Sequence, residues 1–176
     1  MSAPATAQNL SQLNALPADH FIATLADIFE HSPWVAERTV AARPFQDVDA
    51  LHQAMCLAVR QASGDEQMTL LRAHPELAGQ QAQRGDLTAA SAREQSRAGL
   101  NALSGEEMIR ISALNAAYMQ RHSFPFIVCV GQHTKPSLFA EFERCAHNPN
   151  ATEIHEALGQ VEAIARLRLE AMFPAV

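Results

Sequence analysis

The sequence predicts an all-α fold: a single-domain helical bundle of seven to eight helices with one short extended segment. Three observations carry that expectation. Apolar residues recur at helical spacing along most of the 176 residues. Helix-start signatures recur with them, at Asp47, Thr88, Ser104 and Pro136. Only one run, Phe124 to Gly131, is aromatic and β-branched in the manner of a strand, and it has no obvious partner strand.

Taken in order, residues 1 to about 12 are small and polar and are expected to fray. Leu16-Pro17 opens a helix on which Phe21, Leu25, Ile28 and Phe29 share a face. Ser32-Pro33 reads as an N-cap followed by proline at the first helical position. That short helix carries Trp34 and Val35 and ends before Pro44. Asp47 caps the next helix, whose stripe is Leu51, Ala54, Met55, Ala58 and Val59, with Gly64 as its stop. A further turn or two carries Met68, Leu70 and Leu71 to His74. Because Pro75 follows, His74 is pushed out of the α region, and the helix stops there.

A polar, glycine-containing connection leads to Thr88, the N-cap of a helix on which Ser91, Glu94, Gln95 and Ala98 share one face. Ser104 and Glu107 form a capping box ahead of Met108, Ile111, Leu114, Asn115 and Tyr118. After the extended segment, Pro136 starts a helix with Leu138, Phe139, Phe142 and Cys145. Past Asn148-Pro149-Asn150 a last long helix runs to about Phe173. Its stripe of Ile154, Leu158, Val161, Ala165, Arg168 and Met172 puts an arginine on the buried side. A buried guanidinium is costly unless paired. Arg168 is either a salt-bridged or snorkelling arginine at the core's edge or a clamp for a carboxylate or carbonyl. No internal repeat or linker divides the chain, so residues 1–176 read as one domain.

The totals exclude several function classes. With 48% hydrophobic and 18% charged residues the composition is globular. A net charge of −6 argues against nucleic-acid binding, which needs clustered lysine and arginine. No apolar run approaches membrane-spanning length, and the amino-terminal stretch lacks the basic and apolar parts of a signal peptide. Cys56, Cys129 and Cys145 are too scattered for a disulfide framework or a zinc site and read as small buried hydrophobes. A reduced, cytoplasmic setting is the expectation. The terminal Pro174-Ala175-Val176 is not a peroxisomal address.

The motifs of cofactor chemistry are missing. There is no GxGxxG, GxxxxGK[ST], HExxH or GxSxG, and the eight histidines show no metal-ligand spacing; His147 and His155 read as surface residues. No cofactor and no metal are therefore expected. What is left is acid–base chemistry, which needs an imidazole, a carboxylate and a cation around one pocket. His74, Glu94 and Arg168 supply these from three separate elements. The plainer alternative is a helix-ending histidine and a solvated polar face.

The same residues carry a family resemblance. AHPELAG (Ala73 to Gly79), S-x-x-E-Q (Ser91 to Gln95), N-x-x-Y (Asn115 to Tyr118), FPFIV (Phe124 to Val128) and IARLRL (Ile164 to Leu169) together resemble the OHCU decarboxylases, where OHCU is 2-oxo-4-hydroxy-4-carboxy-5-ureidoimidazoline. The similarity runs from about Pro17 to Phe173. It implies a cofactor-free all-α enzyme of urate breakdown that converts OHCU to (S)-allantoin and CO2 as a homodimer. It implies His74 as the catalytic histidine and acid/base, Pro75 as a ligand contact, and Ser91, Glu94 and Gln95 as a substrate-binding helix face. It implies Phe126, Ile127, Val128, Cys129 and Val130 as a pocket wall whose backbone groups touch the ligand. Arg168 matches the arginine of the last helix. Two other readings stay open: a non-catalytic all-α binding or scaffold protein, and an enzyme of the same fold acting on a related ureido ring compound.

Overall fold

The computed structural model describes residues 9–174. Among them there are ten α-helices and no strand: α1 (Leu10–Ala15), α2 (Ala18–Leu25), α3 (Trp34–Thr39), α4 (Val48–Arg60), α5 (Gly64–Arg72), α6 (Gln80–Arg84), α7 (Ala89–Arg97), α8 (Gly105–His122), α9 (Lys135–Ala146) and α10 (Asn150–Met172). The all-α expectation holds. The two helices beyond eight are α1 and α6. Each spans under two turns and so shows no i, i+3, i+4 repeat. Asn9 caps α1 by accepting from the Gln12 N–H, so residues 10–12 are helical where fraying was expected. The remainder of that stretch lies outside the described residues.

The chain divides into two compact units. One takes in the described residues through Ala73 together with the chain from Glu162 onward; the other is His74–Val161. In the first unit α3 packs on α4 and α2 on α3, burying Phe21, Leu25, Val35, Leu51, Met55 and Val59. Arg43 holds the crossing from α3 to α4. Its guanidinium lies over the Phe21 ring and donates to the Leu16 carbonyl at 2.6 Å. The Asn14 carboxamide both donates to and accepts from Phe45. Two boundary expectations shift. Pro33, not Ser32, is the N-cap of α3, and the Ser32 hydroxyl turns back to the Glu30 carbonyl. Gly64 does not stop α4. It is the first residue of α5, because Ser63 and Glu66 form a capping box there.

The second unit is organised around Tyr118. Its ring meets Phe124, Phe126 and Phe142 edge-on at 5.4–5.8 Å, and Phe126 stacks on Phe142 at 4.0 Å. Such pairs add about 0.5–1.5 kcal/mol each beyond area burial. The Tyr118 hydroxyl donates to the buried Glu153 at 2.5 Å, and the Asn148 side chain donates to the same carboxylate at 2.8 Å. Glu153 lies in the first turn of α10, where a carboxylate also faces the positive end of the helix. Burial and the Glu153 bond push the Tyr118 hydroxyl far above its ordinary pKa, so it remains a donor. The predicted stripe of α10 is shifted. Glu153, Ala157, Val161, Ile164, Ala165, Arg168 and Leu169 are its buried positions, with Phe173 buried just after its end, while Ile154, Leu158 and Met172 are half-exposed.

Candidate active site

α5 ends at Arg72, with Ala73 as its C-cap, and His74 is the next residue. The helix-end position speaks against a core packing role for the imidazole, yet the residue is buried, 8% exposed, which corrects that expectation. Pro75 and Glu76 are half-buried, Leu77 and Ala78 buried. Ala78 has φ +49°, a left-handed conformation that costs a non-glycine residue about 1–2 kcal/mol. Gly79 closes the turn, and a Cβ there would stand 2.6 Å from the Glu76 Cβ. No larger residue fits at 79 without moving Glu76.

Two side chains from elsewhere in the unit hold this loop. On α7, which Thr88 caps as expected, the Gln95 carboxamide accepts from the Ala78 N–H at 2.9 Å and donates to the Glu76 carbonyl at 3.3 Å. On α8, the Asn115 carboxamide donates to the Leu77 carbonyl at 2.9 Å. Ser91 is buried beside Gln95 on the same helix face, and Glu94 is half-exposed. α7 also packs against the 3-10 turn Val130–Gln132. The His74 loop, the Ser91–Gln95 face and the end of the 126–130 segment therefore belong to one unit.

Phe124 to Cys129 form neither helix nor strand, and residues 124–130 are all buried. Backbone groups in such a run need partners from outside it. The Cys129 N–H finds one in the Gln160 side chain of α10, at 2.8 Å. The rings of Phe124 and Phe126 anchor the segment on Tyr118 and Phe142.

Arg168 belongs to the other unit. Its Nη1 donates to Glu30 at 2.9 Å and to the carbonyls of Asp27 and Ile28 at 3.1 and 3.4 Å. The Glu30 side chain is 1% exposed and that of Arg168 7%. The cost of burying the guanidinium is thus met by an ion pair and backbone acceptors within the unit. Of the two readings of this arginine, the salt-bridged one describes Nη1.

The three cysteines are buried and form no disulfide. Burial pushes the Cys56 thiol up to about 12, so it stays protonated and unreactive at neutral pH. Cys145 does not have the apolar setting expected of it. Its sulfur, with carboxylate oxygens of Glu141 and Glu156, forms a group within 4.8 Å that has metal-ligand donor types. The Arg144 guanidinium bonds both carboxylates and holds them below their ordinary pKa, while burial raises the Cys145 thiol. With Arg144 already bonded to both carboxylates and the thiol protonated, the group makes a poor cation site.

Sequence reasoning placed Asn115 on the stripe of its helix and in N-x-x-Y without giving it a role, and overlooked Glu30 and Gln160. Glu30 carried no separate signal, because Asp27, His31 and Ser32 stand in the same short stretch and nothing local marks which of them is buried.

Comparison with known proteins identifies the family. The OHCU decarboxylase family model matches residues 14–170. The 2-oxo-4-hydroxy-4-carboxy-5-ureidoimidazoline decarboxylase of Haloferax volcanii is 42% identical over 164 residues, covering 93% of this chain and 95% of that protein. A crystal structure of (S)-allantoin synthase superposes with a TM-score of 0.76 at 28% identity, covering 94% of this chain; the chain spans 54% of that one. A crystal structure of OHCU decarboxylase in the presence of (S)-allantoin superposes with a TM-score of 0.68 over 85% of this chain and 97% of that one, and at 18% identity it speaks for the fold alone. The chain belongs to the OHCU decarboxylase family, the carboxy-lyases of uric acid breakdown.

Proposed function

We propose that this protein converts OHCU to (S)-allantoin and CO2 without a cofactor, with His74 as the acid/base. The observation that carries this is the family match across residues 14–170, which includes every proposed site residue. The substrate bears its carboxylate on a carbon that also holds a hydroxyl, next to the ring carbon that carries the ureido group. When the C–C bond to the carboxylate breaks, its electron pair forms a C=C bond to the ureido-bearing carbon, and the displaced C=N pair falls on the ring nitrogen, which takes up a proton from solvent. The hydroxyl then gives up its proton and the ureido-bearing carbon gains one. Delivery to one face makes a single enantiomer. An imidazole near neutrality takes the first proton and supplies the second.

Glu94 either orients that imidazole or accepts hydrogen bonds from the ureido N–H groups. Pro75, Ser91, Gln95 and Phe126 to Val130 bind the rest of the substrate. Arg168 is the proposed planar donor for charge developing on the ring. A grip on the departing carboxylate alone would stabilise the ground state as much as the transition state. The buried Glu30 partner supports a fixed guanidinium, since donors that need no reorganisation stabilise developing charge best. The single family match supports reading the chain as one functional domain, the resemblance supports a homodimer, and the scattered cysteines support a reduced, cytoplasmic setting. No helix among the described residues is long and apolar enough to cross a membrane.

The test is an assay of EDTA-dialysed protein on freshly generated OHCU, read by circular dichroism. (S)-Allantoin should form at the rate of untreated protein. Loss of activity that zinc or manganese restores would overturn the cofactor-free mechanism, and racemic product at the spontaneous rate would overturn the function.

A further inference from the structure

We propose that Asn115 is a positioning residue for His74, acting with Gln95 through the loop 76–78; its role in turnover rests on the function proposed above. The histidine is followed by a proline, which has no N–H and a fixed φ. It also restricts the histidine itself to extended backbone. The direction of the imidazole is therefore tied to where the next few residues are held. Three polar groups in a row are held by carboxamides: the Glu76 carbonyl and the Ala78 N–H by Gln95, and the Leu77 carbonyl between them by Asn115. Their orientations follow from chemistry, since a carbonyl needs a donor and an N–H needs an acceptor. Together they keep Ala78 in the left-handed conformation that it would otherwise leave.

Asn115 is 7% exposed, and its Oδ1 is buried without a hydrogen-bond partner. Leaving a buried acceptor unmade is costly. A leucine of similar volume would avoid that cost in a helix whose neighbouring buried positions are Ile111 and Tyr118. What asparagine supplies and leucine cannot is the donor to Leu77. The residue therefore serves the loop that follows the catalytic histidine more than the packing of α8.

The test is Asn115→Leu, with Asn115→Ser as the gentler variant should the first fail to fold. Two readouts are taken on folded protein. One is the His74 imidazole resonance and its titration midpoint by NMR, assigned with His74→Asn. The other is kcat against KM on fresh OHCU. Positioning predicts a displaced resonance and midpoint, with kcat lowered about 10–100-fold and KM within about twofold of wild type. A resonance and midpoint matching wild type overturn the proposal, and so does a displaced resonance with kcat unchanged. The NMR arm does not depend on the reaction. If wild-type protein leaves OHCU unconverted while the resonance still moves, the functional reading has failed and the link between Asn115 and His74 stands.

Discussion

Arg168 and His74 are both proposed site residues, and the structure holds them in opposite ways. Arg168 is itself a structural bond: its guanidinium neutralises the buried Glu30 and caps two carbonyls. His74 begins a loop whose fixing bonds belong to other residues, Gln95 and Asn115. Substituting the arginine therefore mixes folding with chemistry, whereas substituting the histidine leaves the loop's carboxamide bonds in place. The lesson is that a charged residue on a buried helix face cannot be tested for function until its partner is dealt with.

The comparison predicts its largest stability effect at Arg168. From the sequence alone, Arg168→Met looks mild, since methionine keeps the apolar stem. With Glu30 beneath it, the substitution strands a carboxylate in the core. The expected loss is about 3–5 kcal/mol, or on the order of 10 °C in Tm. Adding Glu30→Met should recover much of it. Calorimetry on the single and double variants decides: an unchanged Tm for Arg168→Met would show that the ion pair is not structural.

A smaller effect is expected in the other unit, where Glu153 is buried against neutral donors instead of a cation. Tyr118→Phe keeps the ring that anchors Phe124 and Phe126 and removes only the hydroxyl. Glu153 retains Asn148, so the loss should be about 1.5–3 kcal/mol, measured by urea denaturation. A loss as large as that of Arg168→Met would erase the distinction between the two buried carboxylates.

The smallest effect is the acid response of the surface. Glu66 is held down to about 2 by Arg38 and by its own capping box; Glu107 is lowered by the Ser104 N–H and Lys135, and Glu141 and Glu156 by Arg144. Folded values below the ordinary 4.5 mean that the stabilisation is complete above that pH and is lost as pH falls through the folded values. Tm should decline gradually from about pH 5 toward 2. Arg144→Met should flatten part of that decline, and an unchanged slope would show that its pairs contribute nothing.

The all-α fold was legible because long amphipathic helices repeat a pattern, and Asp47, Thr88, Ser104 and Glu107 cap where their side chains say they should. α1 and α6 were not, because five or six residues hold too few turns for a period to show. Gly64 misled because glycine suits a helix stop as well as a loop-to-helix start, and the neighbouring Ser63–Glu66 pair decided between them. The candidate site residues were legible as residue types in family motifs. Their supports were not: Asn115, Gln160 and Glu30 act on groups 31 to 138 positions away in sequence, and no local pattern announces such a pairing.

The most direct measurement is the enantiomer ratio and rate for His74→Asn on freshly generated OHCU, with the spontaneous, racemising background subtracted. Asparagine keeps a polar side chain but carries no proton near neutrality. With far-UV circular dichroism and substrate affinity near wild type, formation of (S)-allantoin should fall about 10²–10⁴-fold. If the variant still makes (S)-allantoin at close to the wild-type rate, His74 is not the proton-transfer group and Glu94 is the next carboxylate to test.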